Sequence, residues 1–152
     1  MSIEKLSGLE IMQAMMEGKI PPASIADTFP MKGISVEKGK IVFEATADDR
    51  HLNPLGGVHG GFAATVLDSV TGCAVHTMLD PGLKYATVDL NVKMLKPIPK
   101  STRLVAEGKV IHVSRSLGFA EGTLRDEEGK VYAHATATCM ILKLNGDGEI
   151  KN

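Results

Sequence analysis

Asn53-Pro54-Leu55-Gly56-Gly57-Val58-His59-Gly60-Gly61 runs straight into a helix-like apolar segment that carries one acid, in Val66-Leu67-Asp68-Ser69-Val70. The reading of this junction decides the fold. It places flexible glycines, an amide and a histidine where a loop turns into a helix. A helix N-terminus presents unpaired backbone N–H groups and the positive end of the dipole, so it can hold an oxygen that gains negative charge. An unpaired carboxylate among Val66, Leu67 and Val70 is costly, and desolvation raises the pKa of such an acid. Two readings of each element stay open at this point. His59-Gly60-Gly61 is either a tight loop or an oxyanion site. Asp68 is either a structural acid with a distant partner or a base or nucleophile tuned toward neutrality.

Working outward, Gly60 to Leu79 reads as one long helix, stopped by Asp80-Pro81-Gly82, because proline cannot continue a helix. The segment holds Asp68, Ser69, His76, three threonines and three glycines, which a lone membrane span tolerates poorly, so a buried helix in a water-soluble core fits better. Upstream, Ser7 with Glu10 three residues on forms a capping box. Leu9, Met12, Met15 and Met16 follow at helical spacing until Gly18 and Pro21-Pro22. This methionine stripe either packs or lines an acyl pocket. A loop leads to Gly33, and Ile34, Val36, Ile41, Phe43 and Ala45 alternate around residues 37–40 as a hairpin.

Downstream the chain reads as strands. Val88, Leu90, Val92 and Met94 alternate with Thr87, Asp89, Asn91 and Lys93. Leu104 to Val113, Leu117 to Arg125 and Val131 to Leu142 follow, with turns at residues 114–116 and 126–129. Ala133, Ala135, Ala137 and Cys139 share a face of the last strand, and their small size leaves room for a helix. The expected fold is α+β: a long central helix wrapped by a curved antiparallel sheet, with an extra N-terminal helix. One domain spans 1–152, with the N-terminal helix and loop over 1–32 and a flexible tail over 143–152 around Asn145-Gly146-Asp147-Gly148.

The composition narrows the chemistry. With 152 residues, 43% hydrophobic and 23% charged, and a formal charge of −1, the chain is globular, and no basic run marks a nucleic-acid surface. Cys73 and Cys139 are far apart, so neither a disulfide framework nor a structural zinc site is expected, and both read as core thiols. His51, His76, His112 and His134 show no metal-ligand spacing, so no metal is expected. The N-terminus lacks signal-peptide blocks, which points to the cytoplasm. No Gly-x-Ser-x-Gly elbow occurs, so the α/β-hydrolase use of His-Gly-Gly does not apply.

The chain from about Gly33 to Leu142 resembles the hotdog-fold acyl-CoA thioesterases, particularly the branch associated with phenylacetate degradation. The resemblance rests on Asn53-Pro54-Leu55-Gly56-Gly57-Val58-His59-Gly60-Gly61, on Asp68 nine residues after His59, and on Ala86-Thr87-Val88-Asp89-Leu90-Asn91. It implies a helix wrapped by an antiparallel sheet, and hydrolysis of an acyl-CoA thioester to a free acid and CoA. Gly60 would offer its N–H to the thioester carbonyl, and His59 would orient the loop or the carbonyl. Asn53 would position the thioester or water, and Asp68 would be nucleophile or base. Thr87 would support the water or the acid, and Gly61 would line the substrate site. No cofactor is implied, since CoA belongs to the substrate. Arg115 and Ser116, with Lys96 or Lys100, are candidates for the CoA phosphates. A non-catalytic acyl-CoA sensor and a hotdog hydratase or dehydratase are the alternatives. For the latter, His76 lies two turns beyond Asp68, roughly 12 Å along the axis, too far for an acid–base dyad. Gly60 and Asp68 are also roughly 12 Å apart along one helix, so a site using both needs two helices across a two-fold axis. The expected assembly is therefore a homodimer, or a homotetramer built from two such dimers.

Overall fold

The computed structural model describes residues 2–144. Near the N-terminus the Glu10 carboxylate accepts the Ser7 N–H at 2.7 Å while the Ser7 hydroxyl accepts the Glu10 N–H at 3.3 Å. This closed capping box starts helix α1 (Gly8–Met16), whose Met12 and Ala14 are buried. The following stretch, expected to be plain loop, contains a one-turn helix α2 (Ile25–Thr28), and strand β1 (Met31–Glu37) already begins inside the predicted 1–32 segment. β1 pairs with β2 (Lys40–Ala45) around Gly39, whose φ of 82° is the left-handed conformation that a tight hairpin turn demands.

Helix α3 (Gly60–His76) and strands β3 (Leu83–Met94), β4 (Leu104–Val113), β5 (Leu117–Asp126) and β6 (Val131–Lys143) complete the order. The six strands form one antiparallel sheet in the order β1-β2-β4-β5-β6-β3. α3 lies across one face of that curved sheet, the architecture expected from the sequence. Phe62, Val66, Leu67 and Val70 are buried against the strands, each contributing about 1.5–3 kcal/mol relative to exposure. The strands beneath are lined with small residues: Ala106 and Gly108, Ala120 and Gly122, Ala133 and Ala135. The contact is closest at Gly108, where a Cβ would lie 2.1 Å from the Val70 carbonyl oxygen.

Three further boundaries differ from the sequence reading in ways that bear on the site. α3 ends at His76 rather than Leu79, because the backbone tightens there to i→i−3 bonds, Met78 N–H to Val75 O and Leu79 N–H to His76 O. The buried Thr77 locks this end, its hydroxyl donating to Ala74 O at 2.6 Å and accepting the Gly39 N–H at 2.8 Å. β3 begins five residues before Val88, and a bulge between Thr87 and Asp89 shifts its phase. Tyr85 and Thr87 face inward before the bulge, and Leu90 and Val92 after it. The single alternating face expected from Val88 to Met94 is therefore broken: Val88 and Met94 are both more than half exposed. Finally, Lys143 belongs to β6 and the Leu144 N–H bonds Gly82 O at 3.1 Å. The rest of the predicted tail, including residues 145–148, lies outside the described residues.

Candidate functional site

The loop before α3 is a small closed ribbon. Leu52 bridges Val58, and the Asn53 N–H donates to Gly57 O at 2.7 Å. Asn53 Oδ1 accepts the N–H groups of Leu55 and Gly57 at 2.9 and 3.2 Å. The carbonyl end of the Asn53 side chain is thus used inside the loop, and its NH2 end is the part left to meet a ligand. From below, the His59 N–H donates to His51 O at 2.7 Å. His51 is itself buried, with Nδ1 accepting the Asp48 N–H at 2.9 Å and Nε2 2.6 Å from Thr28 O. Sequence reading passed over His51 as a histidine without metal-ligand spacing. Asp48 three residues ahead of it, the same cap spacing as Ser7 and Glu10, was the available signal.

His59 caps α3, and its Nδ1 accepts the Gly61 N–H at 2.8 Å. In the neutral ring the proton therefore sits on Nε2, which has no partner among the described residues and can donate. The Phe62 N–H reaches His59 O at 2.9 Å. Of the first three N–H groups of the helix, Gly60 alone has no partner among the described residues. Gly60 and Gly61 serve space rather than positive φ. A Cβ on Gly61 would lie 2.8 Å from His59 Nδ1, and one on Gly60 would lie 2.5 Å from Met94 Sδ. No sequence signal places Met94 over Gly60.

Asp68 departs from the expected desolvated setting: in the single chain it is exposed. Its sequence neighbours Val66, Leu67 and Val70 turn to the sheet, since successive residues of a helix point about 100° apart. Asp68 instead belongs to a less buried stripe with Gly61, Thr65 and Ser69, where Thr65 and Ser69 bond back to the carbonyls of Gly61 and Thr65. Asp68 also lines a cleft of about 1320 Å³ between α1, α2, α3 and β3. Thr87 lines the same cleft beside the β3 bulge, its Oγ1 3.8 Å from Cys139 Sγ. Bulges commonly re-aim side chains next to functional sites.

Sequence reading left Tyr85 out of the site and judged His76 and Cys73 unsuited to it, yet all three share this cleft. Burial pushes the Cys73 thiol up to about 11 and raises Cys139 and Tyr85 too, and it lowers His76, helped by the charge of Lys84. Neither cysteine is disulfide-bonded. Thiols held this far above neutrality are poor nucleophiles. Among the described residues no cluster of three His, Cys, Asp or Glu side chains could hold a metal, and no helix is long and apolar enough to cross a membrane.

The remaining candidates stand apart within one chain. Arg115 and Ser116 occupy the exposed β4–β5 turn beside Leu117, which is in register with Met140 and hence with Ala86. Gly60 touches Met94, eight residues further along β3, or about 26 Å of strand. Lys100 is paired with Asp49 at 2.6 Å, an exposed ion pair, and Lys96 is exposed after β3. The cleft contains Asp68 and Thr87 and excludes Asn53, His59 and Gly60.

The sequence profile described as the thioesterase superfamily matches residues 55–133. A candidate esterase of Caenorhabditis elegans is 34% identical over 118 residues, covering 76% of this chain and 67% of that protein. Acyl-coenzyme A thioesterase 13 of Mus musculus is 27% identical over 106 residues, 69% of this chain and 75% of that one. Among solved structures, a candidate thioesterase related to phenylacetic acid degradation from Ralstonia eutropha is 31% identical with a TM-score of 0.78, over 85% of this chain and 98% of its own. A thioesterase of Haemophilus influenzae shares the fold at 21% identity and a TM-score of 0.75, over 94% of this chain and 96% of its own.

Proposed function

We propose, from the premise that this chain belongs to the thioesterase superfamily and is a thioester hydrolase, that it is a cytoplasmic acyl-CoA thioesterase with each site shared by two chains. The observation that carries this reading is the unpaired Gly60 N–H at the start of α3, with Asp68 exposed on the same helix eight residues on. Their backbones are roughly 12 Å apart along the axis, beyond the reach of an aspartate side chain. Two α3 helices lying antiparallel across a two-fold axis bring Gly60 of one chain to Asp68 of the other. The same operation carries the Arg115–Ser116 turn of one chain to the Gly60 end of the other, where it can meet the CoA phosphates.

In this arrangement the thioester carbonyl oxygen lies against the Gly60 N–H, with the His59 Nε2–H and the Asn53 amide as further donors. Asp68 of the opposing chain either takes a proton from water as the water oxygen attacks the carbonyl carbon, or attacks that carbon itself to form an anhydride that water opens. Thr87 holds the water or the acid. Both routes put negative charge on the carbonyl oxygen, expel the CoA sulfur as thiolate, and end as a carboxylic acid and CoA thiol. The supports are the superfamily match, the Gly60 N–H without a partner among the described residues, and the exposure of Asp68 on the same helix. No cofactor is needed, because water is the only co-reactant.

The test is thiol release across acetyl-, butyryl-, octanoyl-, lauroyl-, palmitoyl- and phenylacetyl-CoA, repeated with Asp68→Asn. At least one wild-type reaction should proceed, and the variant should lose roughly 100- to 10,000-fold in turnover while still binding acyl-CoA. Tight binding with no thiol from any substrate would favour a sensor instead. Near wild-type turnover by Asp68→Asn would make it a structural acid.

A further inference from the structure

We infer that the cleft between α1 and α3 takes the acyl part of the substrate, and that this acyl part is an unbranched aliphatic chain of medium to long length rather than an aryl group. The inference rests on the thioesterase reading above and adds the substrate class. Three observations carry it. The cleft is continuous with the proposed chemistry, since Asp68 and Thr87 form part of its wall. The volume of about 1320 Å³ exceeds the roughly 300–1,000 Å³ usual for small-molecule pockets. The facing wall is built from Ile11, Met12, Met15 and Met16 of α1, with Met31 of β1 behind them. Thioether side chains have three rotatable bonds and adapt to a flexible chain, whereas a flat ring is held best by rigid, well-placed aromatic walls. Phe43 and Tyr85 are the aromatic residues of the cleft lining among the described residues.

The rest of the fold supports a wall that stays in place. The Gly8 N–H donates to Leu79 O at 2.9 Å, and a Cβ on Gly8 would lie 1.7 Å from His76 O, so α1 is seated directly on the chain leaving α3. Met16 covers Gly33, where a Cβ would meet its Cε at 2.6 Å. Ile3 and Ile25 line the same cleft and remain 50% and 45% exposed. Exposed aliphatic residues at the rim of an apolar trench are what a passing acyl chain would cover.

Two measurements test the inference separately from the reading it rests on. The first is kcat/KM across the acyl-CoA series on the wild-type protein. The second is Kd for the same series on Asp68→Asn, which reports the cleft without catalysis. Burying one methylene typically multiplies affinity about fourfold. Both series should therefore improve at least about tenfold from butyryl to lauroyl, with phenylacetyl below octanoyl. Met15→Trp fills the cleft and should cut the ratio of lauroyl to acetyl at least about tenfold in both readouts; Met16→Trp serves if the first variant does not fold. A flat profile, or phenylacetyl-CoA as the fastest and tightest ligand, overturns the inference even if hydrolysis is confirmed. Tightening Kd with no thiol release overturns the hydrolase reading and leaves the cleft assignment standing. If Met15→Trp changes the molar mass in light scattering and leaves the chain-length ratio unchanged, the cleft is an interface between copies and the inference fails.

Discussion

Gly60 and Gly61 sit side by side, yet each is needed for a different contact. A methyl on Gly61 would press on the His59 nitrogen that accepts its own N–H, whereas one on Gly60 would press on the movable thioether of Met94. His59→Ala removes the α3 cap and should cost about 1 kcal/mol in urea unfolding; an unchanged midpoint would mean the cap is idle. The paired glycines were legible in the sequence as a loop–helix junction. Their purpose was not, because close approach by Met94 and the His59 ring comes from the fold. Asp68 was legible as an acid but not in its exposure, since sequence neighbours on a helix are not spatial neighbours. His76, half-buried against Tyr85 at 5.5 Å between ring centroids and close to Lys84, favours its neutral form in the folded chain. Its folded pKa lies below the ordinary 6.5, so the unfolded state binds more protons and stability falls as pH drops through that value. The melting temperature should fall between about pH 7 and pH 5 by more in the wild type than in His76→Gln. Equal falls would mean that another group governs acid sensitivity.

Helix and sheet meet most tightly where α3 crosses β4 and β5. Gly108→Ala would drive a methyl into the Val70 carbonyl, a backbone atom that cannot rotate away, and should destabilise by at least about 1–3 kcal/mol. Gly122→Ala meets only side-chain atoms, of Thr71, Leu67 and Val70 at 3.0, 3.1 and 3.4 Å, and should cost less. The comparison is a pair of denaturant midpoints, and the reverse order would contradict the close approach at Gly108. At this scale the sequence was most informative. Ser7 with Glu10, the hairpin around Gly39, the long helix and the small-residue face of β6 all rest on local chemistry or on simple period. What escaped it were features with long-range causes. Thr77 ends α3 while gripping Gly39, and the bulge after Thr87 re-aims half a strand. A strict period-two reading cannot register one extra residue.

Across the whole molecule, the catalytic candidates singled out from sequence fall into two sets that one chain keeps apart. Asn53, His59 and Gly60 gather at the start of α3, and Asp68 and Thr87 line the cleft along its side. The sequence showed the separation of Gly60 from Asp68 through helical rise alone, whereas the breadth of the cleft and its methionine wall needed the packing of α1. The central claim is that two chains complete each site. It is tested by mixing two inactive variants, Asp68→Asn and Gly60→Pro, after reversible dissociation. Proline is tolerated at the first helical position, and the extended His59 backbone suits a following proline, so Gly60→Pro removes the N–H with little change to the helix. Random mixing of equal amounts makes about half the dimers mixed, and each mixed dimer holds one intact site and one doubly damaged site. The account predicts recovery of about a quarter of wild-type thiol release. No recovery, with mixed dimers verified by native mass measurement, would contradict it and place the whole reaction within a single chain.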